Sequence, residues 1–288
     1  MRTRFDKFGK QMIYKALYGG GPVETDAEVP TDTRRIDLWF MPDPARGADH
    51  SHLGLLGRLT AAACTMELYH CTPDGDELAG CMIKHGNFRH FLSLRSPELP
   101  IPIQWVISSG RPDSGIKGLC FHAAPDWPSG IYAGPMLLWT WLVVVSELPV
   151  ERDTLLLRLL GAGMVLKRAI AELKELPPDA SERTLALPIL VRLRLEVPVD
   201  PKARTNDDKE FLMETQDIVE NWRREAVREG MTGLLLNAYQ ARFGAILPDL
   251  RTVIEQTRDE ATLYAWHTLI VTHSAEEVAA ALRGSRAS

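Results

Sequence analysis

Apolar and polar residues alternate along two short segments near the start of the chain, with the period of two that is typical of half-buried β-strands. One face of residues 23–29 carries Val23, Thr25, Ala27 and Val29, and the other carries Glu24, Asp26 and Glu28. Residues 34–40 repeat the pattern, with Ile36, Leu38 and Phe40 on the apolar face. The turn-forming residues 30–33 separate the two segments, so the pattern predicts a β-hairpin.

This hairpin is unusually acidic, because residues 23–40 hold five carboxylates in eighteen positions. Asp37 points away from the apolar residues of its strand. If the strands pair antiparallel, Asp37 shares one face of the hairpin with the acids of the first strand. The pattern leaves two interpretations open: a solvated face whose carboxylates pair with Arg34 and Arg35, or a cluster that holds a metal ion.

The elements around the hairpin alternate between helix and strand. Apolar residues at helical spacing predict helices over residues 5–17, 53–62 and 77–94, and strand patterns cover residues 64–71 and 103–107. In residues 64–71, Thr65, Glu67 and Tyr69 alternate with apolar residues. Burial of Glu67 on a central strand would require a cation or a shared proton. The order of elements predicts an α/β fold with a mixed sheet flanked by helices.

The C-terminal part of the chain is predicted to be helical. Residues 130–145 supply further strand material, helices begin near Arg152, and residues 197–208 form a polar, proline-containing segment that is typical of a boundary. We therefore predict an α/β core over residues 1–200 and a helical tail over residues 205–288. The apolar stripes of the tail predict an interaction element through which the protein forms a homo-oligomer.

Composition excludes several classes of protein. The chain is 45% hydrophobic and 25% charged, and its longest apolar run, residues 136–145, is shorter than the roughly 20 residues that span a bilayer. The start is basic but has no apolar signal segment, so we expect a cytoplasmic protein without a membrane partner. Net charge is −5, and residues 205–288 hold 9 Lys and Arg against 14 Asp and Glu. This balance argues against a generic cationic nucleic-acid binder.

Three segments together resemble a known family. KFGKQMI near the start, VETDAEVPTDTRRIDLWF and LGLLGRLTAAACTMELYH are similar to PD-(D/E)XK nuclease-like proteins of the Rpn or transposase-associated group. The tail from EGMTGLLLNAYQARF onward is similar to a helical domain of unknown function that is appended to such cores. The resemblance covers most of the chain and is clearest at its two ends.

The resemblance implies a restriction-endonuclease-like fold that hydrolyses phosphodiester bonds in DNA. In that family a strand carboxylate and an E-x-K triplet on the next strand hold Mg²⁺ or Mn²⁺, and the lysine orients the attacking water. Carried over to this sequence, the metal ligands would be Asp37 and Glu67, with Glu28 as a further acid from the hairpin. Hard carboxylate oxygens suit Mg²⁺, which keeps several waters and activates one of them.

The chain departs from this pattern at the lysine. Tyr69 stands two positions after Glu67, where the family has the cation. Lys84, beside the apolar stripe of the predicted helix 77–94, is one candidate replacement, although an exposed helix lysine is the alternative. His70 is the other nearby candidate, but strand alternation points it away from Glu67. The predicted catalytic set is therefore Asp37, Glu67 and Lys84. A catalytically inactive descendant that binds a protein or a nucleic acid is the second functional hypothesis.

Overall fold

A computed structural model describes residues 4–28, 35–46 and 50–284. The chain divides into two compact units, Met1–Ile218 and Val219–Ser288. The described part of the first unit contains a mixed seven-stranded sheet with helices, and that of the second is helical. The predicted α/β class, with a helical C-terminal region, is confirmed.

The sheet is parallel in its centre and antiparallel towards both edges. Its strands are β1 (Val23–Glu28), β2 (Arg35–Phe40), β3 (Cys64–Tyr69), β4 (Ile103–Ser108), β5 (His122–Ala123), β6 (Ile131–Ala133) and β7 (Thr140–Val144), in the order β1-β2-β3-β4-β7-β6-β5. Strands β3, β4 and β7 run parallel, and the other neighbouring pairs are antiparallel. The predicted acidic hairpin is β1-β2, and its turn, residues 29–34, lies outside the described residues.

The described part of the first unit contains seven complete α-helices: α1 (Arg4–Leu17), α2 (Leu55–Leu59), α3 (Gly75–Arg95), α4 (Asp113–Gly118), α5 (Leu155–Arg158), α6 (Gly163–Glu175) and α7 (Ser181–Leu195). The sequence predicted α1, α2, α3 and a helical region from Arg152 onward, but not α4. Helix α3 begins with a capping box in which Asp74 and Glu77 each accept the other's backbone N–H. It connects the parallel strands β3 and β4, so β3-α3-β4 is a crossover unit.

Helices α1 and α3 cover opposite faces of the sheet around β3. Gly9 of α1 lies so close to Leu68 that a Cβ atom would stand 3.0 Å from the leucine Cδ1. On the other face, Cys81 and Met82 of α3 pack in one cluster with Val106. Val106 pairs with Glu67, so Glu67 faces α3 whereas Leu68 faces α1.

The second unit has its own apolar core. Four helices contribute to it: α8 (Asn206–Phe243), which begins in the first unit, α9 (Pro248–Gln256), α10 (Glu260–Thr272) and α11 (Ala275–Gly284). Buried side chains include Leu235, Ile254, Trp266 and Leu282. No helix among the described residues is both long enough and apolar enough to cross a membrane.

The predicted boundary segment, residues 197–208, lies within the first unit. Asp208 accepts a hydrogen bond from Arg4 at 2.9 Å, and Phe211 packs edge-to-face on Phe5 with ring centroids 5.2 Å apart. The first turns of α8 therefore belong to the packing of the α/β unit. The division of function between residues 1–200 and 205–288 stays a prediction.

Candidate active site

The candidate site lies where β2 and β3 separate. The two strands pair at Phe40–Cys64, Trp39–Thr65 and Leu38–Met66, and the pairing then stops although both strands continue. Continuing the register by one residue sets Asp37 opposite Glu67. The charge of Asp37 acts on Glu67 across this gap and helps to raise the pKa of Glu67.

Asp37 fills the gap between the strands. Its Oδ2 accepts a hydrogen bond from the Leu68 backbone N–H at 3.0 Å. Its Oδ1 lies 2.5 Å from Lys10 Nζ, so the second oxygen meets a cation from helix α1. The carboxylate thus replaces a ladder hydrogen bond that the parting strands have lost, and it needs a positive charge beside it because it is largely buried.

Glu67 meets a second lysine, which comes from helix α3. Lys84 Nζ lies 2.7 Å from Glu67 Oε1 and donates a hydrogen bond to the Arg35 carbonyl oxygen at 2.8 Å. Glu67 is 4% exposed and Lys84 is 7% exposed. The contact between them is a close ion pair without the alignment of a hydrogen bond at Oε1. Burial raises the pKa of Glu67 to about 8, and the charge of Lys84 only partly opposes this rise.

Lys10 gathers three carboxylates on the α1 side of the gap. Besides Asp37, its Nζ lies 3.3 Å from Asp6 Oδ2 and 3.2 Å from Asp26 Oδ1. Burial alone would lower the pKa of Lys10, but Asp37, Asp6 and Asp26 outweigh it, so the pKa is raised above its ordinary value. The ammonium therefore stays charged and neutralises part of the cluster.

Asp26 reaches Lys10 from a strained backbone. Its φ is 56°, in the left-handed region, although it lies in the middle of strand β1. Asp is one of the few residues other than Gly that enter this region at moderate cost. The distortion stands next to the point where β2 leaves β3, so both neighbours of β2 deviate from regular pairing at the level of Asp37.

Tyr69, which stands where the family pattern has its lysine, makes a hydrogen-bond contact on helix α3 rather than with Glu67. Its hydroxyl lies 3.1 Å from Cys81 Sγ. Burial raises the pKa of the Tyr69 hydroxyl, and it raises that of the Cys81 thiol to about 12. Both groups are therefore neutral at physiological pH, and the positive charge beside Glu67 comes from α3 rather than from its own strand.

The structure brings together the predicted residues Asp37, Glu67 and Lys84. The alternative that Lys84 is an exposed helix lysine is wrong, because its ammonium is buried against Glu67. Asp37 pairs with Lys10 rather than lying on a solvated face. The backbone of Glu28 belongs to β1, but its side chain, like Arg34, lies outside the described residues.

Sequence reasoning missed the roles of Lys10 and Asp6. Both stand on α1, where the apolar spacing assigns them to the polar face. The available signal was their i, i+4 spacing, which is typical of an exposed helix ion pair as well. Their convergence on Asp37 depends on Gly9, which lets α1 approach β3 closely.

Comparisons with known proteins leave this geometry to be interpreted on its own. No family profile, no curated protein and no solved structure matches the chain.

The donor set fits Mg²⁺ or Mn²⁺ but not an ion that needs many protein ligands. Among the residues that the structure describes, no group of three or more His, Cys, Asp or Glu side chains is arranged to hold a metal ion. Mg²⁺ commonly uses one or two carboxylates and completes its shell with waters and substrate phosphates. Asp37 and Glu67 supply two such carboxylates, and an ion held by them would have to displace Lys10 from Asp37 Oδ1 and Lys84 from Glu67 Oε1.

Proposed function

We propose that the protein is a cytoplasmic, metal-dependent hydrolase of phosphodiester bonds in DNA. The observation that supports this proposal most strongly is the placement of Lys84, whose ammonium lies 2.7 Å from Glu67 on the strand opposite Asp37. Two carboxylates and one lysine are the groups that the resemblance to PD-(D/E)XK proteins requires. Asp37 and Glu67 stand on neighbouring strands, and Lys84 reaches Glu67 from helix α3.

Each residue has a role that follows from its contacts. Asp37 and Glu67 would hold the ion, which when bound polarises a phosphate oxygen and lowers the pKa of a water. Lys84 is fixed by the Arg35 carbonyl, so its ammonium stays at the site without free rotation. It lowers the cost of ionising Glu67, and it offers a hydrogen-bond donor to a water or a phosphate oxygen. Lys10 balances the charge of Asp37 from the opposite helix.

Nicking of supercoiled plasmid DNA tests the proposal. With Mg²⁺ or Mn²⁺ we expect the wild type to convert the plasmid to the open circle, and EDTA to stop the reaction. Asp37→Asn and Glu67→Gln should abolish nicking, and Lys84→Ala should slow it on the order of 100-fold. Lys117→Ala, an exposed lysine on α4, is the matched control and should nick at the wild-type rate. A wild type that leaves the plasmid intact with both metals would contradict the proposal.

The ion pairs of Lys10 favour a second candidate function. Its ammonium already compensates Asp6, Asp26 and Asp37, so the cluster can be neutral without a metal ion. A fold that kept its acids and exchanged the metal for lysines would serve as a binding module for a protein or a nucleic acid. A folded wild type that neither binds Mn²⁺ nor nicks the plasmid would support this alternative.

We also propose that the protein forms a homo-oligomer through its C-terminal helices. Supporting this, the second unit has its own core, and α8 and α10 expose the large apolar side chains Leu234, Tyr264 and Val271. Exposed apolar side chains that share an element are a usual feature of interaction surfaces.

A further inference from the structure

A cleft of about 1080 Å³ opens beside the candidate site, within the first unit. Helix α1 forms one wall with Arg4, Lys7, Gln11 and Tyr14, which recur at helical spacing on the side opposite its buried stripe. Helix α7 contributes Arg192 to the lining. The cleft is large enough for several nucleotide-sized groups, since drug-sized ligands occupy roughly 300–1,000 Å³.

Two cations in the cleft, Lys15 and Arg192, form no close ion pair among the described residues. Both are exposed, Arg192 donates a hydrogen bond to the Gln11 side chain, and its charge acts on Glu196 only through a longer electrostatic contact. Lys7, in contrast, lies 2.6 Å from Glu196. Lys15 and Arg192 are therefore the positive charges that an anionic ligand can use without breaking an existing pair.

Tyr14 adds an aromatic surface between these charges. Its side chain lines the cleft and is 37% exposed. Its ring centroid lies 5.6 Å from that of Tyr18, one helical turn further along α1. A tyrosine that is half out of the core beside lysine and arginine is the combination with which proteins stack a base and contact the adjoining phosphates.

The cleft also leads to the candidate site. Asp6, Lys10 and Asp26 belong to its lining, and Lys10 contacts Asp37 at 2.5 Å. A ligand lying along α1 would therefore have one end at Lys10, the ion-pair partner of Asp37, although Asp37 and Glu67 themselves do not line the cleft.

We infer that this cleft binds a single-stranded segment of nucleic acid, with Tyr14 stacking on a base and Lys15 and Arg192 contacting phosphates. The inference rests on the proposed function for the reason why a strand should reach Asp37, but the binding itself requires no metal.

Single-stranded nucleic acid fits the cleft better than a duplex does. A duplex binder draws its affinity from many phosphate contacts, typically 6–10 in strongly salt-dependent cases. The cleft offers two unpaired cations in a concave space, and the net charge of the chain is −5. Stacking contributes affinity without sequence preference and is open only to bases that are unpaired.

Fluorescence anisotropy, measured in EDTA so that no metal-dependent hydrolysis can occur, tests nucleic-acid binding by itself. The probes are a labelled fifteen-residue oligothymidylate, the same strand annealed to oligoadenylate, and thymidine monophosphate and inorganic phosphate as competitors. We expect the single strand to bind at least about 10-fold more tightly than the duplex, and thymidine monophosphate to compete better than phosphate, because it carries a base that can stack.

Variants assign the binding to the cleft. Tyr14→Ala should weaken single-strand binding by about 10-fold or more, and Tyr14→Phe should retain it, because the ring and not the hydroxyl stacks. Lys15→Glu and Arg192→Glu should each weaken binding and reduce its salt dependence. Leu137→Ala, which changes an exposed apolar side chain of the first unit outside the cleft lining, is the control and should bind like the wild type. All of these side chains are exposed, so the variants should melt at the wild-type temperature.

Equal affinity for the single strand and the duplex, or an unchanged affinity in folded Tyr14→Ala, would overturn the inference. The two proposals can fail separately. Single-strand binding in EDTA by a protein that never nicks would uphold the cleft and contradict the hydrolase, whereas nicking by a protein whose single-strand binding is insensitive to Tyr14, Lys15 and Arg192 would uphold the hydrolase and overturn the cleft.

Discussion

Lys84 Nζ lies 2.7 Å from Glu67 Oε1, and both side chains are almost completely buried between helix α3 and the sheet. Two opposite charges in such a place are costly to separate, because each alone would be a buried charge without a partner. The pair therefore ties α3 to the point where β2 and β3 part, and its energetics can be measured whether or not the protein is an enzyme.

Replacing Lys84 should destabilise the fold. Lys84→Ala leaves Glu67 buried without its cation, and breaking a buried ion pair in this way typically costs about 3–5 kcal/mol. This full loss is expected only above the pKa of about 8 at which Glu67 ionises in the folded protein. The double variant Lys84→Ala with Glu67→Gln should cost less than the sum of the single variants. Urea unfolding at a pH above that pKa measures all three. A loss in Lys84→Ala no larger than in the exposed control Lys117→Ala would mean that the pair contributes no stability.

The raised pKa of Glu67 predicts how stability depends on pH. An ordinary Glu titrates near pH 4.3, whereas Glu67 titrates at about 8 in the folded protein. Its contribution to stability is therefore fully present below the unfolded-state pKa and is lost as the pH rises through about 8. The free energy of unfolding of the wild type should fall relative to that of Glu67→Gln between pH 5 and 8, by at most about 1.4 kcal/mol per pH unit. Parallel curves for the two proteins would place the pKa of Glu67 near its ordinary value.

The left-handed backbone at Asp26 predicts an inverted order of substitutions. At an ordinary strand position Ala is favoured over Gly. At Asp26, where φ is 56°, Asp26→Gly should instead be more stable than Asp26→Ala by about 1 kcal/mol, because Ala pays the steric cost of this region. The neighbouring pair Thr25→Gly and Thr25→Ala is the control and should show the ordinary order. Thermal melts of the four variants measure both orders of stability. If Ala is more stable than Gly at both positions, the left-handed backbone at Asp26 is contradicted.

The burial of Phe211 predicts where the chain can be truncated without destabilising the α/β unit. This residue of α8 is fully buried and packs on Phe5 of α1. A chain ending at Trp222 keeps that contact, whereas a chain ending at Arg204 loses it together with Asp208, the ion-pair partner of Arg4. The longer chain should melt well above the shorter one. Light scattering of the longer chain and the full chain then tests the oligomer: a monomeric full chain would contradict self-association through the C-terminal helices.

The strands, and the two carboxylates on them, could be predicted because the alternation of apolar and polar residues along the sequence identifies a half-buried strand directly. Ile36, Leu38 and Phe40 are buried as the alternation predicts, but Ile36 packs with Phe88 of α3 whereas Asp37 reaches Lys10 of α1. Lys10 was not predictable, since a lysine on the polar side of α1 has the same spacing whether it is solvated or buried under a neighbouring strand. The segment 197–208 has the composition of a linker, but Arg4 and Phe5, distant in sequence, pack on the residues at and after its end.

Binding of Mn²⁺, measured by calorimetry in two buffers of different ionisation enthalpy, tests the central claim that Asp37 and Glu67 form a metal site beside Lys84. We predict measurable binding by the wild type, with proton release because the ion displaces the proton of a Glu67 whose pKa is about 8. The apparent affinity should rise with pH up to about 8, and Asp37→Asn and Glu67→Gln should each abolish it. Absence of binding by the folded wild type up to millimolar Mn²⁺ would contradict the metal site and the proposed hydrolase with it.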